Sequence, residues 1–163
     1  MSSCLLFMVI CFALHELGNS AGLNTCYDGW MAFGGSCYLF AHNPVTFTEA
    51  EHYCRQHHNS HLVHVNTDLE NRFLKDRLRD LKTHEWWMGL TDEDIEGVWK
   101  WFDTDTVANF TDWHPSQPDP PAEDCVIFYS GFDFRWGDIT CTGTFIPLCE
   151  MQAIETCETD IIG

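Results

Sequence analysis

The placement of nine cysteines in 163 residues limits what this chain can fold into more than any other feature. Cys4 and Cys11 fall in an apolar N-terminal run. The other seven, Cys26, Cys37, Cys54, Cys125, Cys141, Cys149 and Cys157, are spread over the rest of the chain. No two of them form a C-x-x-C pair, the spacing that zinc ribbons and thioredoxin-type redox sites need. In an oxidising compartment such a spread reads as a disulfide framework. The residues alone leave the pairing open. Seven is odd, so at least one thiol is free or bonds another chain.

The compartment is read from the N-terminus. The apolar run Cys4 to Leu14 is eleven residues long. That is too short to span a bilayer and right for a signal-peptide core. The small residues Gly18, Ser20, Ala21 and Gly22 follow it. Residues 1–20 are therefore expected to be a signal peptide, although no Lys or Arg precedes the run. No later stretch is long and apolar enough for a span, so a secreted, extracellular protein without membrane insertion is expected. The formal charge of −17 excludes nucleic acid and anionic membrane as partners, because both demand a basic patch. An acidic surface of this kind draws cations.

The elements follow from local pattern. Residues 26–40 read as strand around a Gly34-Gly35 turn. Thr46-Phe-Thr-Glu49 and Thr67-Asp-Leu-Glu70 are capping boxes, each opening a helix. The first helix carries Phe47, Ala50, Tyr53, Cys54 and His57 at helical spacing, and the second places Leu69, Phe73, Leu74, Leu78 and Leu81 inward. His61-Leu-Val-His-Val65 reads as a short strand between them. Aromatic strands at Trp86 to Leu90 and Val98 to Phe102 flank the acidic turn Asp92 to Gly97. A loop of about twenty residues follows, a length that is usually functional in a compact domain. Strands at Cys125 to Tyr129, Phe134 to Trp136 and Thr144 to Cys149 close the chain, and residues 152–163 read as an acidic tail. The order gives an α+β domain.

The chemistry concentrates in the run Gln117-Pro-Asp-Pro-Pro-Ala-Glu123, with Asp124 and Cys125 after it. Hard cations take six to eight oxygen ligands from carboxylates and amides. A stiff, oxygen-rich loop ending in a cysteine suits such an ion, and its amide and carboxylates suit sugar hydroxyls. The plainer reading is an ordinary turn-rich loop. The histidines His57, His58, His61 and His64 invite a metal reading, but His61 and His64 are expected on opposite strand faces and so do not converge. No P-loop, Rossmann or G-x-S-x-G motif is present, so no enzymatic activity is expected. Asn109-Phe-Thr111 is a glycosylation sequon.

Trp87-Met-Gly-Leu90, Glu123-Asp-Cys125, Trp136-Gly-Asp138 and Pro147-Leu-Cys-Glu150 together resemble the C-type lectin-like domain, over residues 26–151. The likeness is nearest to small secreted invertebrate lectins of the perlucin-like type. It implies two helices, two small antiparallel sheets, a long calcium- and sugar-binding loop, and disulfides Cys26–Cys37, Cys54–Cys149 and Cys125–Cys141. Cys157 is then left over, and a homodimer bonded through it is one outcome; a free thiol is the other.

The resemblance also implies a site. Gln117, Asp119, Glu123 and Asp138 stand where the family's lectins hold Ca²⁺ and sugar together, with a cis peptide before Pro118. The Gln-Pro-Asp order resembles the galactose and N-acetylgalactosamine class. Asp92, Glu96, Glu123 and Asp124 suggest a second calcium position. Gly137 departs from the family, which has Asn there; one ligand and one hydrogen-bond donor are lost. The loop also lacks the aromatic that often stacks on galactose, leaving Phe132, Phe134 or Trp113 as substitutes. The expected function is calcium-dependent binding of galactose-type glycans on cell or microbial surfaces, in innate immune recognition or agglutination. The alternatives are a lectin-like domain that recognises protein, or an acidic mineral-associated matrix protein.

Overall fold

The computed structural model describes residues 23–82, 84–119 and 123–156. The expected signal peptide, Pro120 to Ala122 and Cys157 lie outside the described residues.

The first hairpin is made by β2 (Met31–Phe33) and β3 (Ser36–Phe40), after a short β1 (Leu23–Thr25). Its two-residue loop has Gly34 and Gly35 at φ of 60° and 91°. Two consecutive left-handed residues give the twist that a tight hairpin turn needs, and glycine adopts it without strain. Helix α1 (Phe47–Gln56) opens on its box: the Glu49 carboxylate accepts from the Thr46 N–H at 3.0 Å and hydroxyl at 2.7 Å. Helix α2 (Asp68–Leu81) is capped differently from the expectation. The Thr67 hydroxyl accepts from Glu70 N–H, but the Glu70 carboxylate takes the Asn66 N–H and the Tyr38 hydroxyl instead of closing the box.

Between the helices, β4 is only His61–Leu62. Then come β5 (Trp86–Thr91), β6 (Lys100–Trp101), β7 (Thr106–Val107), β8 (Cys125–Tyr129), β9 (Arg135–Ile139), β10 (Ile146–Gln152) and β11 (Ile154–Thr156). Two antiparallel groups share β10. It pairs antiparallel with β3 along one edge; on the other edge it pairs antiparallel with β4 at Cys149 and Glu150, and parallel with the start of β5 through Ile146 and Trp86. β5 then pairs antiparallel with β6 and β8, and β8 with β9. Residues 154–156, expected in the tail, instead form β11 and pair with β1.

All six residues of β5 are buried. Successive side chains of a strand point to opposite faces, so this strand feeds two cores. Trp86, Met88 and Leu90 join Leu74 and Leu78 of α2 with Phe128 and Trp136. Trp87 joins Phe47, Ala50 and Cys54 of α1 with Leu62, Ile127 and Cys149. The buried spine of α2 is Asn71, Leu74 and Leu78, while Leu69 and Leu81 are 63% and 46% exposed. The expected inner face was therefore misplaced at both ends. Asn71 is buried because its amide has partners: it accepts from the Trp136 indole at 3.2 Å and donates to Asp112 at 2.8 Å.

Among the described residues the disulfides are Cys26–Cys37, Cys54–Cys149 and Cys125–Cys141, as the resemblance implies. Cys54–Cys149 ties α1 to β10 across 95 residues of sequence. Cross-linking so long a loop stabilises by about 4.7 kcal/mol in the chain-entropy account.

Candidate functional site

Between residues 103 and 119 the regular structure is the two-residue β7, so the shape of this part of the long loop depends on side-chain anchors. Asp112 is the main one. Its carboxylate accepts from Lys75 at 2.7 Å and Asn71 at 2.8 Å on α2, and from Arg135 on β9 at 3.0 and 3.1 Å. Burial alone would raise this carboxyl. The hydrogen bonds from Lys75 and Asn71, and the charges of Lys75 and Arg135, outweigh burial and hold it below the ordinary carboxylate range. Sequence reasoning missed Asp112, because its helix partners lie 37 and 41 residues away and no local spacing marks them. Beyond it, Trp113 packs edge-on against Trp136, and His114 N–H donates to the Trp136 carbonyl at 2.9 Å.

These anchors deliver Gln117 and Asp119 to β9. The Gln117–Pro118 peptide is cis, as expected. The Asp138 N–H donates to Gln117 Oε1 at 2.9 Å, and the Asp119 N–H donates to both Asp138 carboxylate oxygens at 2.9 and 3.1 Å. Gln117 Nε2 donates to Asp119 Oδ2 at 3.2 Å. Gln117, Asp119, Glu123 and Asp138 all line one open cavity of about 430 Å³. The four residues expected to act together thus meet.

Among the described residues of the lining these carboxylates have no counter-charge. Asp138 is only 5% exposed. Burial, with the negative charges of Glu123 and Asp119, pushes its carboxyl to about 6, against the hydrogen bond from the Asp119 N–H. Three carboxylates and an amide, with no basic side chain among the described residues of the cavity lining, form a donor set that a hard divalent cation fits.

Gly137, which replaces the expected Asn, lies buried between these residues. A Cβ there would sit 3.4 Å from Gln117 Oε1 and 3.5 Å from Phe132 Cε2, ordinary contacts. Of the three aromatics offered as a sugar platform, Phe134 is buried in the core and Trp113 packs against it. Phe132 alone borders the cavity. Its ring stacks on His114 at 3.8 Å and meets Tyr129 edge-on at 4.3 Å.

The second group is partly assembled. Asp92 is 4% exposed, its N–H donates to the Asp124 carbonyl at 3.2 Å, and its Oδ2 accepts from the Gly97 N–H at 2.7 Å. Among the described residues its buried Oδ1 has no hydrogen-bond partner. Burial, with the nearby Asp124 charge, raises the Asp92 carboxyl despite the Gly97 bond. A buried orphan carboxylate oxygen is costly and is the kind of group a cation satisfies. Glu96 is exposed on the same turn. Asn109 is exposed at the head of the long loop.

The geometry has counterparts among known proteins. Residues 43–151 match the family model described as Lectin C-type domain. Mouse asialoglycoprotein receptor 1 is 38% identical over 143 residues, covering 83% of this chain and 48% of the receptor. Human C-type lectin domain family 10 member A is 39% identical over 133 residues, covering 77% and 40%. The chain thus spans about half the length of these relatives or less. Among solved structures, the C-type carbohydrate-recognition domain of cow CD23, obtained in the presence of a GlcNAc2Man3 oligosaccharide, superposes with a TM-score of 0.71 at 29% identity. That likeness covers 81% of this chain and 99% of the CD23 chain. The perlucin-like subclass is narrower than these likenesses carry. With its family model, disulfide framework and loop geometry in agreement, the chain belongs to the C-type lectin domain family, whose members are carbohydrate-binding proteins.

Proposed function

We propose that this protein is a calcium-dependent lectin for galactose-type sugars, with Gln117, Asp119, Glu123 and Asp138 as the residues that hold calcium and sugar. The convergence of these four on one cavity carries the reading. Bound there, Ca²⁺ supplies a Lewis acid for the lone pairs of two vicinal hydroxyls. The chain's own groups do the rest. Asp119 and Glu123 accept hydroxyl protons, and the Gln117 amide donates. The order of amide and carboxylate selects which hydroxyl geometry fits, and the name of the asialoglycoprotein receptor relatives supports a glycoprotein sugar as the ligand class. Phe132 offers an apolar face from the β8–β9 turn in place of a loop aromatic. Asp92, Glu96, Glu123 and Asp124 are proposed as the second calcium position.

The protein is further proposed to be secreted, glycosylated at Asn109, and active in recognition or agglutination of cell or microbial surfaces. A single shallow site binds weakly, so avidity requires several copies, for which a Cys157-linked homodimer is one route. A second reading, recognition of protein in place of sugar, draws on one observation: the Gln117 amide oxygen already accepts from Asp138 N–H, and Gly137 brings no second amide.

The deciding experiment is retention of the protein on immobilised galactose and on mannose, with Ca²⁺ and then EDTA. Retention on galactose released by EDTA is expected. Retention on mannose overturns the specificity, and no retention on either favours the protein partner.

A further inference from the structure

A second cluster of ligating side chains lies away from the carboxylate cavity and shares no residue with it. The strand β4 ends at Leu62, so the alternation that would separate His61 from His64 does not reach His64. The expected opposite-face arrangement is thus overturned: the two imidazole rings lie 4.2 Å apart. Asp103, in the turn after β6, meets them. Its Oδ1 accepts from His64 Nε2 at 2.6 Å. One ligand atom from each of His61, His64 and Asp103 falls within 4.8 Å of the others.

The surroundings fix these groups. His61 Nδ1 lies 2.9 Å from the Leu62 carbonyl, which can only accept, so Nδ1 carries a proton and Nε2 is the nitrogen whose lone pair the neutral ring offers. A histidine ring so tethered through its other nitrogen is the usual state of a metal ligand. His64 is stacked on the buried Trp101 at 4.5 Å, which sets its plane. Arg55 lies 3.6 Å from Asp103 Oδ2, which leaves Oδ1 to face the histidines. Both His64 and Asp103 are largely buried, with side chains 13% and 9% exposed.

We propose that His61, His64 and Asp103 form a binding site for a borderline divalent transition-metal ion of the zinc class. Two imidazole nitrogens and one carboxylate suit such an ion and do not suit calcium, which takes oxygen ligands. Three protein ligands leave a fourth position open, for water or an incoming group. The ion takes the place of the proton between His64 Nε2 and Asp103 Oδ1, and that proton moves to His64 Nδ1. Tetrahedral ligand atoms about 2.1 Å from zinc stand about 3.4 Å apart. The His64–Asp103 contact therefore opens by a fraction of an ångström. Bound metal would join the segment after α1 to the β6–β7 turn.

The test is titration of the calcium-saturated protein with Zn²⁺ by calorimetry, and with Co²⁺ by visible absorption. One equivalent of Zn²⁺ at micromolar affinity is expected, with the intense visible bands of four-coordinate Co²⁺. His61→Ala should weaken binding at least tenfold, and His42→Ala, outside the cluster, should leave it unchanged. Among the described residues the hydrogen bond of His61 goes to its neighbour's carbonyl and its ring packs on His64, so the metal-free melting temperature of this variant is measured beside its zinc affinity, and of the two the zinc affinity should carry the main loss. Asp103→Asn should abolish the Co²⁺ bands. Absence of stoichiometric Zn²⁺ binding by the parent, or binding of equal strength in His61→Ala, overturns the site.

Discussion

Two glycines, Gly137 and Gly89, act at the residue scale by what they leave out. At Gly137 the missing side chain takes an amide from the proposed calcium site. A Cβ is tolerated there at 3.4 Å from Gln117 Oε1, so the position is open to its larger relative. Gly137→Asn should tighten calcium binding by about tenfold or more, since a hydrogen bond or ligand to a charged group contributes about 1.5–3 kcal/mol. Calorimetric titration of both proteins with Ca²⁺ checks this, and equal affinities would show that the absent amide is compensated. Gly89 is small for the opposite reason. A Cβ there would lie 2.8 Å from the Leu62 carbonyl oxygen, which belongs to backbone and cannot swing away. The glycine lets β4 cross close over β5, with Gly89 N–H donating to the Val63 carbonyl at 2.9 Å. Gly89→Ala should cost roughly 1–3 kcal/mol of stability by overpacking, read from urea unfolding.

At the scale of elements, the long loop is held as a lever held by one charged knot. Lys75 is only 12% exposed and Asp112 17%. Asp112→Asn leaves that ammonium without its carboxylate and should cost roughly 3 kcal/mol at pH 7. The sign of its pH dependence follows from the depressed folded pKa. The stability that Asp112 contributes is full above the ordinary carboxylate pKa of about 3.9 and is lost as pH falls through the lower folded value. The parent and Asp112→Asn should therefore differ most in urea midpoint at neutral pH and converge under acid below about pH 3.9. The variant should also bind calcium more weakly at pH 7, because Gln117 and Asp119 hang from the same loop. This knot marks the limit of what the sequence discloses. Capped helix starts, the Gly34-Gly35 hairpin and the aromatic strands are local patterns and are legible residue by residue. The convergence of Gln117, Asp119, Glu123 and Asp138 was legible only through resemblance to a family. Asp112 with Lys75, and His61 with His64, were not legible, because tertiary contacts or the early end of a strand bring them together. Leu69 and Leu81 mislead for a related reason: apolar spacing marked them as inner, while Asn71, satisfied by Trp136 and Asp112, took the buried place.

At the scale of the whole molecule, two disulfides should separate stability from the proposed binding. Cys54 and Cys149 are fully buried in the core between α1 and β10, remote in sequence from the carboxylate loop. Cys125 and Cys141 bracket β8 and β9, and Cys125 directly follows Glu123 and Asp124. In the chain-entropy account a closed loop of 95 residues contributes about 4.7 kcal/mol and one of 16 residues about 3.1 kcal/mol. Stability alone would rank the long staple first. Binding should rank them the other way. Without Cys125–Cys141, the start of β8 is held only by its ladder pairing to Ile139 of β9 and Thr91 of β5, and the position of Glu123 against Asp138 should loosen. The double variant Cys54→Ala/Cys149→Ala should thus lose more in urea midpoint, while its folded fraction keeps near-parental calcium affinity. Cys125→Ala/Cys141→Ala should lose less stability but bind calcium at least tenfold more weakly. Parallel urea unfolding and calcium titration on both variants decide the matter. If the two lose calcium affinity in proportion to stability, the site is a property of the whole fold. If they diverge, the Cys125–Cys141 bridge belongs to the site, and the long bridge serves the scaffold that carries it.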